Sequence, residues 1–251
     1  KRQIYKGVVE RIEPRLQACF VDFGAEKNGF LPADNIHPEY YDQKVERPKD
    51  NSTPPIEKFL KKGQVLLVEV TKEMPGRKGA HLTTYLSLAG RYIVLTPGKT
   101  INGVSRKIED EEERQRLKSI MGRMQLPEGI GYIVRTVAEG QSKKDLTRDL
   151  NRLLRLWDNI KKRVNKTPPL TLVHKEQDLS LRTLRDYYTS EVAEIVVDDK
   201  ETFNNIKEYM KIISPRDQRK IKLYREKRPI FDHYNIEKQI ETIYTNQVSL
   251  K

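Results

Sequence analysis

The sequence predicts a mixed β and α/β fold, with a five-stranded barrel over residues 1–86 and α/β regions over 87–180 and 181–251. Up to residue 86, short β-branched and aromatic runs are broken by Pro and Gly turns. From Ser87 onward strands alternate with helices, the pattern of an α/β arrangement. The 251 residues, 36% hydrophobic and 33% charged, suffice for one to three polar, soluble domains, each able to bury a core.

The barrel opens with three runs, residues 3–14, 18–22 and 29–32. Within Ala18 to Asp22 the period of two puts Cys19 and Val21 on one face and Phe20 beside Asp22 on the other. Phe30 follows Gly29 in the next run and falls near Phe20 across the ladder. Two aromatic rings on the solvated face of a small barrel make a platform for stacking bases. The competing assignment is core packing, where Phe usually resides. The polar stretch Ile36 to Gly63, with Asn51-Ser52-Thr53-Pro54-Pro55, reads as a long, partly mobile connection. Strand pattern resumes at Val65 to Val70 and Ala80 to Leu86, joined by Pro75-Gly76-Arg77-Lys78-Gly79. Five strand runs with one long interruption suit an OB-fold.

A helix near Asp110 to Met124 opens on Glu109 to Glu113 and ends with Lys118 and Arg123, which complements its dipole at both ends. Leu117, Ile120, Met121 and Met124 form its apolar stripe. A second helix, Ser142 to Val164, has Ser142 as N-cap and Asp145 three residues on. Its core face is Leu146, Leu150, Leu153, Leu154, Trp157 and Val164. Arg148, Arg152 and Arg155 line another face, either paired with Asp145 and Asp149 or turned toward phosphates. Beyond Pro168-Pro169 come strand 170–174, helix 180–190, strand 193–198, helix 200–213, strand 221–224 and helix 236–244. That order suggests a parallel or mixed sheet covered by helices, and Ile236, Ile240 and Ile243 give the last helix an apolar face.

The net charge of +12 is unevenly placed. Arg135 to Lys166 holds ten Lys/Arg against four Asp/Glu, and Arg216 to Arg228 seven against two, so these segments carry +6 and +5. Concentrated positive charge is the footprint of a polyanion, because neutralising phosphates releases counterions. A merely solvated basic helix face is the alternative. Cys19, the lone cysteine, can form no internal disulfide or Cys-based zinc site and fits a reducing cytoplasm. No apolar run approaches the roughly 20 residues needed to span a bilayer, and no signal peptide opens the chain. His37, His81, His174 and His233 show no metal-ligand spacing. Asp198 and Asp199 end a strand, where a carboxylate pair could bind Mg²⁺ or an Asp could cap the next helix.

Between the basic segments, Gly129 to Thr136 reads as a strand ending on Arg135-Thr136. An arginine fork can hold two phosphate oxygens, and a neighbouring hydroxyl a third.

The ordered words of this chain resemble the ribonuclease E/G family. The barrel segment is similar to the family's OB-fold RNA-binding domain. Ser87-Leu88-Ala89-Gly90-Arg91-Tyr92-Ile93-Val94-Leu95, Gly103-Val104-Ser105-Arg106-Lys107-Ile108-Glu109, Leu126-Pro127-Glu128-Gly129 and Val134-Arg135-Thr136 resemble its 5′ sensor. Tyr224 to Pro229 and Phe231 to Glu237 resemble its ribonuclease-H-like region. The resemblance implies that Phe20, Phe30 and Lys78 contact single-stranded RNA. It implies that Arg135 and Thr136 bind a 5′-monophosphate, with Gly90 and Val94 shaping the pocket around the terminal nucleotide. It further implies a Mg²⁺-dependent endoribonuclease of RNA processing and decay, homo-oligomeric through regions beyond this chain. Its metal-binding aspartates would lie in a DNase-I-like domain after Lys251, so no catalytic or metal-ligating residue is expected here and the chain is expected to bind RNA without cutting it. A stand-alone RNA-binding module without nuclease activity is the alternative.

Overall fold

The computed structural model describes residues 2–42, 53–74, 78–175, 178–189 and 191–244. They form two compact units, divided between residues 176 and 177.

The first unit opens with strands β1 (Ile4–Glu13), β2 (Ala18–Asp22) and β3 (Gly29–Pro32), helix α1 (Ile56–Phe59), and strands β4 (Val65–Lys72) and β5 (His81–Thr83). The sheet order β1-β2-β3-β5-β4 closes through antiparallel pairing of β1 with β4, which gives the expected five-stranded barrel. All its ladders are antiparallel except β3 with β5, joined in parallel at Phe30 and His81. Closure removes the open sheet edges that would otherwise pair with other chains. Its interior is filled by Val9, Cys19, Val21, Leu31, Leu66, Val68 and Leu82. Gly29 is required where β3 crosses Leu82, since a Cβ there would lie 2.4 Å from Leu82 Cδ1. Burial pushes the Cys19 thiol up to about 12, so it carries no thiolate at neutral pH.

The stretch expected to be a long, partly mobile connection sends several of its described residues into the core, although Glu39, Glu57, Lys58 and residues 61–63 are exposed. Ile36, Ile56, Phe59 and Leu60 are buried in the barrel core, and Tyr41 stacks on Phe59 at 4.0 Å between centroids. Apolar residues thinly spaced among Pro, Asp and Lys do not show a period, yet each fills a hole at the barrel end. Residues 43–52, and Pro75 to Arg77 of the later turn, lie outside the described residues.

The unit continues through β6 (Leu88–Ala89), β7 (Ile93–Pro97), β8 (Asn102–Val104), α2 (Glu111–Gly122), β9 (Ile130–Val134), α3 (Lys143–Lys166) and β10 (Thr171–His174). The second sheet has the order β6-β7-β9-β8, with β8 parallel to β9. One face carries Leu88, Ile93, Leu95, Tyr132 and Val134, which pack on Leu117 and Met121 of α2 and on Leu146, Leu150, Leu153 and Ile160 of α3. Asp110 caps α2 and Ser142 caps α3 through side-chain oxygens. At the other end of α3, Lys6 Nζ donates to the carbonyls of Val164 and Thr167 at 3.0 and 2.8 Å, placing a cation on the negative end of the dipole. Trp157 and Val164, expected in the core, are only partly buried against it.

Strand β10 departs from the expected parallel or mixed sheet. It pairs antiparallel with the start of β1, through Ile4 with His174 and Lys6 with Thr171, and so extends the barrel sheet. A four-residue apolar run specifies a strand but not its partner.

The second unit holds α4 (Leu179–Tyr187), β11 (Ile195–Val197), α5 (Lys200–Ile213), β12 (Ile221–Leu223), α6 (Ile230–His233) and α7 (Ile236–Ile243). Strands β11 and β12 pair in parallel around a core of Leu184, Tyr188, Val197, Ile206, Tyr209, Met210 and Ile221. Ser190, expected to end α4, lies outside the described residues. The apolar face of α7 is exposed at Ile236 and Ile243.

Candidate nucleic-acid interface

The barrel places the two expected rings together. Phe20 lies directly opposite Phe30 in the β2–β3 register, with centroids 5.9 Å apart and planes at 62°. Both rings are half-buried, while their neighbours Cys19, Val21 and Leu31 are fully buried, so the strand period separates wall from interior as expected. Two residues that the sequence reading did not assign to this surface extend the row. His81 of β5 lies 5.3 Å from Phe30, and the Arg11 guanidinium sits 4.9 Å over the Phe20 ring. Arg11 is reachable from the β1–β2 register alone, but His81 joins only through the parallel β3–β5 pairing, which no local pattern announces. Lys78 is exposed before β5 and lines a cleft of about 330 Å³ with Tyr5, Phe23, Lys27 and Glu73 rather than the ring pair.

The second grouping forms at the end of β9. The backbone N–H of Arg135 donates to the Tyr92 carbonyl at 2.8 Å. Its side-chain Nη1 donates to the carbonyls of Gly90 and Arg91 at 2.8 and 3.3 Å, which fixes the guanidinium against the β6–β7 turn. Beneath that turn sits the buried carboxylate of Asp149 from α3, accepting from the N–H groups of Tyr92 and Ile93 at 2.8 and 3.1 Å. A Cβ on residue 90 would lie 2.3 Å from Asp149 Oδ2, so only glycine fits. Val94 stands on the opposite sheet face from the helices, paired with Ala89 and with Ile133, which is 39% exposed. Thr136 is exposed, its hydroxyl 3.4 Å from that of Ser105. Gly90, Val94, Arg135 and Thr136, separated by up to 46 positions, thus gather at one strand end beside the exposed Ile133. Ser105 went unnoticed in the sequence because β8 reaches Thr136 only through its parallel pairing with β9.

The turn from Thr136 to α3 is clamped from α2. Glu113 accepts from Arg116 Nε and Nη2 at 2.5 and 2.6 Å and from the Gly140 N–H at 2.8 Å, while Arg116 also donates to the Gln141 carbonyl. The Arg116 bonds, followed by that of Gly140, hold the Glu113 carboxyl below its ordinary 4.5. A carboxyl depressed on folding contributes stability that is complete above its unfolded pKa and disappears as pH falls through the folded one. Glu113→Gln is therefore expected to lower the melting temperature at neutral pH, with the gap to wild type closing in acid below 4.5. Thermal melts across pH measure this; a gap that persists in acid would assign the effect to packing instead.

Of the two acids that follow β11, Asp199 has a local explanation. Asp199 caps α5 by accepting from the Thr202 N–H at 2.7 Å, a bond that also holds its carboxyl below the usual range. Among the described residues no three His, Cys, Asp or Glu side chains are grouped to hold a metal ion. Nor, among the described residues, is any helix long and apolar enough to cross a membrane.

A sequence model of the ribonuclease E/G family matches residues 87–251. The chain is 42% identical to ribonuclease E of Haemophilus influenzae, an alignment covering 100% of this chain and 26% of that protein. It is 40% identical to ribonuclease E of Escherichia coli, covering 100% of this chain and 23% of that one. Against ribonuclease G of Haemophilus influenzae the identity is 38%, covering 99% and 50%. The chain therefore spans about a quarter to a half of the length of these relatives.

Proposed function

The chain belongs to the ribonuclease E/G family, and from that premise we propose that it is the RNA-binding and 5′-monophosphate-sensing portion of a single-strand-specific, Mg²⁺-dependent endoribonuclease of RNA processing and decay. The observation that carries the reading is the gathering of Arg135, Thr136, Gly90 and Val94 at one strand end. A guanidinium already oriented by two carbonyls loses little freedom on meeting a phosphate. Thr136 and Ser105 add hydroxyls, and Val94 with Ile133 offers the terminal base an apolar seat. In the barrel, Phe20 and Phe30 stack on bases of the strand, with Lys78 as a phosphate contact. The Mg²⁺ chemistry and the oligomer contacts belong to other parts of the protein, and the buried, lone thiol suits the cytoplasm.

Titration of matched oligonucleotides bearing 5′-monophosphate or 5′-hydroxyl ends into the chain tests the sensor, with tighter binding of the phosphorylated one as the expected result. Equal affinities would remove the sensor assignment. The same RNAs are expected to stay intact on incubation with the chain, with or without Mg²⁺. Gel analysis decides this, and Mg²⁺-dependent cleavage lost in Asp198→Asn would relocate the metal site to this chain.

A further inference from the structure

We propose that the outward face of α3 is a further RNA-contact surface, which grips the phosphate backbone along a strand regardless of its end. Lys144, Arg148, Asn151 and Arg155 follow one another at spacings of four, three and four, so they stack in a single row at 3.6 residues per turn. The row lies opposite the buried Leu146, Leu150 and Leu153, and its four members are exposed. With Lys143 and Thr147 they line a shallow depression of about 590 Å³. Beyond Asp158, which lies on the same face and pairs with Lys161, exposed Lys162 and Lys166 resume the positive charge toward the helix end. From Lys143 to Arg155 the helix rises about 18 Å, enough to follow several nucleotides.

The structure separates the arginines that the sequence left open between ion pairing and phosphate contact. Arg152 turns to the buried Asp149, with Nη2 3.4 Å from Oδ1. Arg148 is only 4.0 Å from Asp145, whose carboxylate already accepts from Ser142 Oγ at 2.5 Å. Lys143, Lys144 and Arg155 have no acidic partner among the described residues. Between Lys143 and Arg155 the row carries only positive and uncharged polar side chains, so it has nothing apolar to insert into a lipid surface and suits a linear polyanion of repeating charge.

The test combines Lys144→Gln, Arg148→Gln and Arg155→Gln and titrates polyuridylate with a 5′-hydroxyl end, which bypasses the end pocket, across salt concentrations. The plot of log affinity against log salt should become shallower by about 2 units, at about 0.7 per phosphate contact on a single strand, with weaker binding at low salt. Arg148→Lys with Arg155→Lys should keep the wild-type slope. If circular dichroism shows the triple variant unfolded, Arg155→Gln alone is read, with an expected change of about 0.7. An unchanged slope in a folded variant overturns the proposal. Equally charge-dependent binding of polyglutamate overturns it too, since that would assign the face to an acidic protein. Neither outcome bears on the end preference, which the matched oligonucleotides test separately.

Discussion

Phe20→Ala and Phe30→Ala are each expected to weaken single-stranded RNA binding by roughly 1–3 kcal/mol. That is a loss of about 5- to 150-fold in affinity per ring. The rings face each other edge to face across β2 and β3 and are half-buried on the barrel's outer wall, so in the proposed function each would give a base a partner while keeping the other ring in place. Truncating one should therefore also loosen its neighbour, and the double variant should lose less than the sum of the singles. Removal of a cross-strand aromatic contact costs only about 0.5–1.5 kcal/mol of stability. Binding titrations alongside thermal melts separate the two effects. Variants that lose stability heavily yet bind RNA normally once folded would show that the rings serve the barrel and not the ligand.

Arg135→Gln is expected to abolish most of the preference for a 5′-monophosphate over a 5′-hydroxyl end. A charge-assisted contact of this half-buried kind contributes on the order of 1.5–3 kcal/mol. Because Arg135 also donates to the carbonyls of Gly90 and Arg91, glutamine also removes a support of the turn, so Arg135→Lys is the companion variant. It keeps the charge but loses the planar fork, and it should retain general RNA binding while losing much of the discrimination. Affinity for 5′-hydroxyl RNA should stay near wild type in both, since Phe20 and Phe30 stand on the barrel wall. Equal loss for both RNAs would reduce Arg135 to a general backbone contact.

Several elements were legible without any structure because their determinants are local. Ser142 with Asp145, and the acidic opening after Asp110, marked the starts of α3 and α2, where side-chain oxygens do cap the backbone. The period of two over Ala18 to Asp22 assigned each side chain to wall or interior, and the register agrees. The strand-final position of Arg135 was equally plain. In contrast, the stretch Ile36 to Gly63 read only as a long, partly mobile connection, because isolated apolar residues such as Ile36 and Phe59 carry no period and find their place only in a finished core.

By itself the sequence determined where the barrel strands and the longer helices lie, which residues of β2 alternate inward and outward, where positive charge collects, and which family the chain resembles. The elements and the charge follow from steric preference, hydrophobic period and composition within short windows of residues, whereas the resemblance rests on the ordered motif words along the chain. Only the tertiary structure decided the partners. It brought His81 beside Phe30, seated Asp149 under Gly90, set Ser105 next to Thr136, and carried β10 to the barrel. It also distinguished Arg152, spent on a buried carboxylate, from Arg155, turned outward along α3. These outcomes depend on contacts between residues far apart in the chain, whose free energies exist only once the sheets have closed and the helices have docked.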